Sequence, residues 1–454
     1  MRKVDVARML RRVVALFLVV VAAASARAAD FSVPPALRPP VDFWIGVFAV
    51  HSKHQMVIHD PEDLSRIYSV LDLRDLAAAG YSDDRIGAIM RERETAEKAR
   101  LRDLLLALDR ADPRAPLGPE AQRLRALFAA DRSPSKYRDA AAPERLRGQR
   151  GLRERFAYGL SHARGYFPEM ERLFRAAGVP AEITRLTMVE STFNLKAYSK
   201  VGAAGVWQFM PATGRSFMRV DGVVDERLDP LIATHAAARF LRQNFDRLGS
   251  WPLAIKAYNH GPGGMSRAVR ETGSTDIVTI IGTYRGPAFR FASRNFYPSF
   301  LAALHVERNA HKYFGDLKTH PMPRSERVVL DRPAALSAAA RCAGTDPWAL
   351  AELNPSLLSP VKSGRAKVPA GFALRVPPDR GARLRRCLQS LPPTVAARRA
   401  APPARARVVH RVRAGQTLSG IAARYGCSIK QIRRTNRLRG SLVRTGQLLR
   451  IPRC

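Results

Sequence analysis

Long apolar runs, cysteines and acidic residues are all scarce in this sequence of 454 residues. After the first thirty residues, no stretch reaches the roughly 20 apolar residues that cross a bilayer, so we expect no integral membrane span there. The histidine and cysteine spacings are not typical of a metal site, so no metal or cofactor is expected. Only 39 acidic residues accompany 76 basic ones, and the net charge of +37 predicts an affinity for polyanions.

The N-terminus carries a short apolar run behind a basic segment. The run VVALFLVVVAAA follows five basic residues, and Ala26-x-Ala28 offers a cleavage pattern of small residues. This order is typical of a secretory signal peptide over residues 1–28. We therefore expect export to the periplasm and association with the cell wall. An exported protein rarely meets DNA, so an acidic wall polymer is favoured over nucleic acid as the polyanion.

The four cysteines all lie in the last third of the chain, as Cys342, Cys387, Cys427 and Cys454. In an oxidising compartment they suggest disulfides, for which three pairings are possible. The pairing Cys342–Cys387 with Cys427–Cys454 is favoured, because each pair brackets one copy of the repeat described below. Buried thiols that form no disulfide are the alternative.

Glu190 stands near the end of an apolar helical pattern. Ile183, Leu186 and Val189 recur at helical spacing and are expected to face a core. Glu190 lies four residues after Leu186, so it shares or borders that face. A carboxyl in this position loses water and holds its proton more tightly, which suits a general acid.

The chain divides into segments of different composition, which together predict an α+β multidomain fold. Residues 30–150 mix strand-like and helical patterns and are predicted to be an extension that packs on its neighbour. Residues 151–316 have apolar residues at helical spacing, divided by Gly and Pro, and predict a mainly helical domain. Two repeat copies follow at 325–390 and 408–454, joined by a linker at 391–407 that is rich in Pro, Ala and Arg.

The repeat is visible when the two C-terminal segments are aligned. LSAAARCAGTDPWALAELN matches LSGIAARYGCSIKQIRRTN, and GFALRVP matches GQLLRIP further on. Each copy predicts a strand, two helices and a strand. Between its Asn and its later Gly, the first copy has seven more residues than the second, since 354 to 371 exceeds 436 to 446 by that number.

Two short stretches after Glu190 are typical of a ligand cleft. KVGAAGVWQFMPATG combines small residues, which let a ligand approach the backbone, with Trp207 and Gln208. Trp207 suits stacking on a sugar ring, and an ordinary core role is the equal alternative. AIKAYNHGPGG places Tyr258 and Asn259 at the end of a helix. A tyrosine hydroxyl there can hold a catalytic carboxyl by a hydrogen bond.

In this order, VESTFN, GAAGVWQFMPATGR and AYNHGPGG resemble the goose-type lysozyme-like catalytic domain of lytic transglycosylases, glycoside hydrolase family 23. The N-terminal FWIGVFAVHSKHQMVIHDPEDL is similar to the entry segment of the membrane-bound lytic murein transglycosylase D type. The C-terminal repeat resembles LysM, a βααβ module that binds glycans containing N-acetylglucosamine. The second copy fits LysM well, whereas the first fits loosely and lacks its Gly-x-Thr-Leu opening.

The resemblance implies a role for each matched residue and makes peptidoglycan glycan strands the expected partner. Glu190 becomes the only catalytic acid and base. The implied substrate-binding residues are Ser191, Gln208, Met210, Tyr258, Asn259 and Tyr297. The implied glycan-binding residues of the second LysM copy are Gly415, Thr417, Leu418 and Asn436.

Two other functions remain open at this point. One is a hydrolase that activates water, and the other is a catalytically inactive LysM protein that binds the wall. The sequence shows no second carboxylate clearly placed to activate water. Asp221, Asp225 and Glu226 lie in a predicted loop, and Asp229 is expected to cap a helix.

Overall fold

The computed structural model describes residues 31–390, except 113 and 115, and residues 409–452, except 413–415, 426 and 439. The chain forms two compact units, Met1–Arg385 and Arg386–Cys454. The predicted signal peptide and linker, and with them Gly415 and Cys454, lie outside the described residues.

The first unit is mainly helical, as the sequence predicts. Its α-helices are α1 (Arg38–Ile45), α2 (Arg74–Ala78), α3 (Asp83–Arg110), α4 (Pro119–Ala126), α5 (Lys136–Ala140), α6 (Arg153–Ala176), α7 (Leu186–Ser191), α8 (Pro211–Arg215), α9 (Pro230–Leu248), α10 (Trp251–His260), α11 (Pro262–Thr272), α12 (Ile277–Thr283), α13 (Phe291–Arg308), α14 (Ala310–Phe314), α15 (Leu336–Ala343), α16 (Pro347–Leu353) and α17 (Ser359–Lys362). Its strands are β1 (Gln55–His59), β2 (Ile67–Asp72), β3 (Arg147–Arg150), β4 (Glu326–Val329) and β5 (Ala373–Val376). Helix α18 (Gly381–Ser390) follows, and the second unit contains β6 (Val409–Arg411), α19 (Leu418–Tyr425), α20 (Ile429–Thr435) and β7 (Leu448–Arg450).

The start of the described chain is part of the main helical core. Phe31 packs edge-on against Phe300 of α13 at 5.3 Å between ring centroids, and Phe48 stacks on Phe156 of α6 at 5.1 Å. Strands β2, β1 and β3 form an antiparallel sheet in that order. Helices α3 to α5 cover this sheet with a second core that contains Leu101. The N-terminal segment therefore adds to the core of the main helical domain and also builds a core of its own.

The first repeat copy has the predicted strand, two helices and strand, and a short third helix, α17, is added between α16 and β5. Strands β4 and β5 pair antiparallel around α15 and α16. The side chain of Asn354 joins the end of α16 to β5, because it donates to the carbonyl of Arg375 at 2.7 Å and accepts from the N–H of Arg375 at 2.9 Å. An Asn at the end of the second helix thus closes the module.

The same copy is fixed to the helical domain by the loop that carries its extra residues. The N–H of Asp225 donates to the carbonyl of Ser356 at 2.8 Å, and the N–H of Leu358 donates to the carbonyl of Val223 at 3.0 Å. Arg375 also forms an ion pair with Asp229, which is buried. These contacts make the first copy an integral part of the first unit.

The second copy is the small second unit. Strands β6 and β7 pair antiparallel, and Ile421, Ile432 and Leu449 lie in its core. Ser428 and Gln431 form a reciprocal capping box at the start of α20. This unit therefore has the predicted βααβ order, without the third helix of the first copy, and a core of its own.

Two general findings concern disulfides and membrane spans. Cys342, Cys387 and Cys427 are all disulfide-bonded, and the part of the chain that the structure describes contains no free cysteine. The pairing itself stays a prediction.

Over the described ranges, no helix combines the length and the apolar character that a membrane span requires.

Candidate active site

Glu190 lies in the last turn of α7, just before the chain reverses direction. Ile183 and Leu186 are buried, as the helical pattern predicts. Thr192 and Phe193 then adopt left-handed backbone with φ of 48° and 52°. Such a conformation costs a non-glycine residue about 1–2 kcal/mol, so the packing around it must hold it in place.

That packing comes from the close approach of α6. A Cβ atom placed on Gly159 would lie 1.9 Å from the carbonyl oxygen of Thr192. Only glycine leaves room for this contact. Gly159 therefore lets α6 support the reversal that follows Glu190.

The carboxyl of Glu190 is partly enclosed. Its side chain is half-buried, and burial raises its pKa to about 8. The carboxyl has no hydrogen bond or ion pair to any residue that the structure describes. Glu190 thus keeps contact with solvent while protein atoms favour its protonated form.

Tyr258 does not hold this carboxyl, which corrects the expectation from the sequence. Its hydroxyl donates to the carbonyl of Trp207 at 2.8 Å. Burial and the nearby charge of Glu190 both raise the pKa of Tyr258, so the hydroxyl keeps its proton. Tyr258 borders the carboxyl and fixes the loop beside it.

The glycine-rich loop at 200–210 forms one side of the site. The hydroxyl of Ser191 donates to the carbonyl of Val206 at 3.1 Å and connects α7 to this loop. Gln208 is half-buried with φ of 48°, and its amide donates to the carbonyl of Gly205 at 2.8 Å. Met210 is 43% exposed. Gln208 and Met210 are therefore, with Val201, among the side chains of this loop that reach the surface.

Trp207 belongs to the core, and its suggested role in sugar stacking is wrong. It is 0% exposed. Its indole N–H donates to Thr234 at 2.9 Å, and its ring stacks on Phe174 at 5.4 Å. It therefore supports the loop from inside.

An arginine that sequence reasoning missed holds the same loop. Arg227 is buried and donates to the carbonyls of Gly202 and Phe209, both at 2.8 Å. It also forms a two-point ion pair with Asp225 at 2.8 and 2.7 Å. The only sequence signal was an arginine amid several acids, and it does not reveal a partner some twenty residues upstream.

The acidic residues of this region are already engaged. Asp229 accepts from the N–H groups of Leu231 and Ile232, both at 3.0 Å, and caps α9 as predicted. Asp221 accepts from the N–H of Val223 at 2.8 Å. With Asp225 held by Arg227, the predicted loop offers little to activate water. No group of three or more potential metal ligands occurs within the described ranges.

Asn259 stands at the exposed end of α10, next to a buried polar network. The Nζ atom of the fully buried Lys256 donates to the Ser293 hydroxyl at 2.8 Å. Ser293 also lies 3.0 Å from Nδ1 of His260 and 3.4 Å from Oδ1 of Asn259. This network supports the end of the helix that presents Asn259. Tyr297 is only 2% exposed. Its contact with substrate stays a prediction.

Two of the residues predicted to bind glycan in the second LysM copy belong to its fold. Leu418 is buried in the core. The amide of Asn436 donates to the carbonyl of Arg450 at 2.7 Å, as Asn354 does in the first copy with its own strand. We therefore reassign Leu418 and Asn436 to the structure of the module. Thr417 is exposed and accepts from the N–H of Gly420 at 3.2 Å.

The first unit is mainly helical and carries a half-buried glutamate with a raised pKa, and the sequence comparisons identify the type of domain it contains. Residues 172–281 match the family model of the transglycosylase SLT domain, and residues 410–452 match that of the LysM domain. The chain therefore contains an SLT transglycosylase domain followed by a LysM domain.

The chain is also similar to individual proteins. The chain is homologous to the membrane-bound lytic murein transglycosylase D of Escherichia coli K12, with 31% identity over 283 residues and 60% of each chain covered. It is 37% identical over 82 residues to a transglycosylase of Enterobacteria phage PRD1, which covers 18% of this chain and 29% of the phage protein. A solved lytic transglycosylase Slt of Pseudomonas aeruginosa is 21% identical with a TM-score of 0.30, covering 56% of this chain and 39% of the other.

Proposed function

We propose that this chain is a lytic transglycosylase, which cleaves the β1,4 bond between N-acetylmuramic acid and N-acetylglucosamine in peptidoglycan and leaves a 1,6-anhydro end. The observation that carries the proposal is the lone half-buried carboxyl of Glu190, with a pKa of about 8. The SLT and LysM domains favour a peptidoglycan substrate. The basic start of the chain favours an exported, wall-associated protein.

One carboxyl is sufficient for this reaction. Protonated Glu190 gives its proton to the bridging oxygen, and the C1–O bond breaks with an oxocarbenium-like centre at C1. The substrate's own N-acetyl group shelters this centre. The Glu190 carboxylate then takes the proton of the C6 hydroxyl, whose oxygen attacks C1 and closes the anhydro ring without consuming water. A group that serves as both acid and base needs a pKa near the working pH, and burial supplies it.

A hydrolase is the alternative that shares most of this chemistry. Ordinary glycosidases use two carboxyl groups about 5–9.5 Å apart. In the acid-rich loop that follows the site, Asp225 is held by the buried Arg227 and Asp229 caps α9. This arrangement favours the intramolecular hydroxyl over a water molecule.

Product masses and one substitution test the proposal together. Purified peptidoglycan should yield anhydro ends, which are one water lighter than reducing ends. Glu190→Gln should lower turnover by about 10²–10⁴-fold or more, because it removes the general acid. Circular dichroism should show an unchanged fold. Reducing ends would identify a hydrolase, and near-normal turnover by the Gln variant would remove Glu190 from the mechanism.

A further inference from the structure

A cavity outside the candidate active site lies where the N-terminal extension meets the start of α13. It has a volume of about 700 Å³. Glu62 and Arg147 lie on the wall formed by the extension, and Arg285, Arg290 and Arg294 lie on the wall formed by the helical domain. The ion pair between Arg294 and Glu62 joins the two walls. We call this space the arginine cavity.

The cavity carries a surplus of positive charge. Four arginines and Lys98 line it, against Glu62 and Glu144. Arg294 is paired with Glu62, and Lys98 is paired with Glu94 at 2.5 Å. Arg147, Arg285 and Arg290 form no ion pair with any residue that the structure describes, although the charge of Arg285 helps to lower the pKa of Glu62. Three guanidinium groups are thus available to an anion.

Short-range contacts orient these three groups. Arg147 lies over the ring of Phe291, with 4.2 Å from guanidinium carbon to ring centroid. Arg285 donates through Nη1 to the carbonyl of Tyr284 at 3.1 Å, and Arg290 donates through Nε to the carbonyl of Pro287 at 3.1 Å. Each guanidinium keeps further N–H groups, whose fork geometry matches a carboxylate.

The cavity is next to the Asn259 end of the candidate active site. Phe289 lines the cavity, and its ring packs edge-on against His260 with 5.1 Å between centroids. His260 follows Asn259 directly in α10. Phe289 therefore connects the wall of the cavity to the helix end that presents Asn259.

We propose that the arginine cavity binds a free carboxylate of a peptidoglycan stem peptide while the sugar chain occupies the site at Glu190. This proposal rests on the proposed function and adds a substrate preference to it. Stem peptides carry free carboxylates, whereas the sugars of a peptide-bearing strand offer neutral polar groups, because the lactyl carboxyl of N-acetylmuramic acid is then part of an amide. The three unpaired guanidiniums fit the peptide rather than the sugar.

A charge-matched pair of triple variants tests the cavity. The test variant combines Arg147→Gln, Arg285→Gln and Arg290→Gln. The control combines Arg85→Gln, Arg93→Gln and Arg270→Gln, which are exposed residues outside the cavity and without ion pairs among the described residues. Both variants lose the same net charge, so a difference between them reports the location of the charge.

Binding is measured by calorimetry with a soluble muramyl tripeptide, and cleavage is measured on glycan strands with and without their peptides. The test variant should lose affinity for the muramyl tripeptide by about 10–100-fold, since charge-assisted hydrogen bonds are removed. It should cleave peptide-free strands at the normal rate and lose its preference for peptide-bearing strands. The control should behave as the wild type on both counts.

The outcomes separate the two proposals. Equal binding by the two triple variants, with wild-type release of anhydro ends, would overturn the role of the arginine cavity alone. A wild type that releases no anhydro ends would instead reject the proposed function. If inorganic phosphate displaced the tripeptide at equal concentration, the cavity would be a general anion site and the peptide assignment would be overturned.

Discussion

At the scale of single residues, burial displaces the pKa of Glu190 and Lys256 in opposite directions. The carboxyl becomes protonated more easily, and the ammonium group loses its proton more easily. Both residues lie near the candidate cleft, although only Glu190 borders it with an exposed surface. Their different pH dependences make them separable by experiment.

Glu190 should set the alkaline limit of the reaction. The first step needs its protonated form, and the pKa of about 8 keeps that form abundant at neutral pH. We therefore expect kcat/KM to fall about tenfold per pH unit above pH ~8. A pH profile on soluble glycan strands measures this limb. A rate that stays constant to pH 10 would contradict the role of Glu190 as the acid.

The same burial should destabilise the fold at high pH. The folded-state pKa of Glu190 lies above its ordinary value of 4.5, so the folded protein binds its proton more tightly than the unfolded chain does. The contribution of Glu190 to the free energy of unfolding is therefore fully present below pH 4.5 and is lost as the pH rises through about 8. Glu190→Gln carries no charge and escapes this loss. The variant should gain melting temperature over the wild type at pH 9 but not at pH 4. An equal difference at both pH values would disprove the assigned pKa.

Lys256 should also cost stability, with the opposite dependence on pH. Burial lowers its pKa from 10.5 to about 7, so the unfolded chain binds more protons between those values. The penalty is fully present below pH 7 and disappears as the pH rises to 10.5. Lys256→Met removes this penalty but also loses the hydrogen bond to Ser293. The net gain in the free energy of unfolding should be about 3 kcal/mol at pH 7.

Urea unfolding at pH 7 and pH 10 measures the effect of Lys256→Met. Lys318→Met is the matched control, because Lys318 is exposed. The gain should shrink toward pH 10 for Lys256→Met and be absent for Lys318→Met. A variant at position 256 that is less stable than the wild type at pH 7 would show that Lys256 keeps its charge inside the protein.

At the scale of elements, the contact between α6 and the reversal after α7 positions Glu190. Gly159→Ala would place a methyl group 1.9 Å from the carbonyl oxygen of Thr192, so α6 and the reversal must separate. We expect a loss of about 1–3 kcal/mol in the free energy of unfolding. Turnover should fall as well, because Glu190 moves with the reversal.

Gly282→Ala in α12 is the control for this helix substitution. A Cβ atom at Gly282 meets no other atom within 4 Å. This variant should be neutral or gain up to about 1 kcal/mol, as expected for alanine in place of glycine in a helix. Equal stability of the two variants would show that α6 does not support the reversal.

The sequence predicted those elements whose signals are local. Ile183 and Leu186 at helical spacing gave the buried face before Glu190, and Asp229 before a proline gave the cap of α9. The structure of the loop beside the carboxyl could not be predicted from the sequence, because it depends on partners that are distant along the chain. Whether Trp207 faces inward, and whether Arg227 reaches the loop carbonyls, is decided by the path of residues 200–227. No local pattern records that path.

At the scale of the whole molecule, the two repeat copies have different roles. In the first copy, the longer loop after Asn354 contains Ser356 and Leu358, whose backbone groups bond to the helical domain. Arg375 adds an ion pair to Asp229, the cap of α9. The additional residues that weaken the match to LysM are therefore the ones that attach the module. The second copy, which matches the LysM family, forms a unit of its own.

The net charge of +37 should act on the whole protein in wall binding. Peptidoglycan stems carry carboxylates, and salt screens exposed charges within about 10 Å at 0.1 M. Pelleting of the Glu190→Gln variant with purified sacculi, which that variant leaves undigested, should weaken as salt increases from ~0.05 to ~0.5 M. Binding to neutral chitin should persist over the same range, because it depends on the LysM unit. Salt-independent pelleting with sacculi would mean that the surplus arginines only solvate the surface.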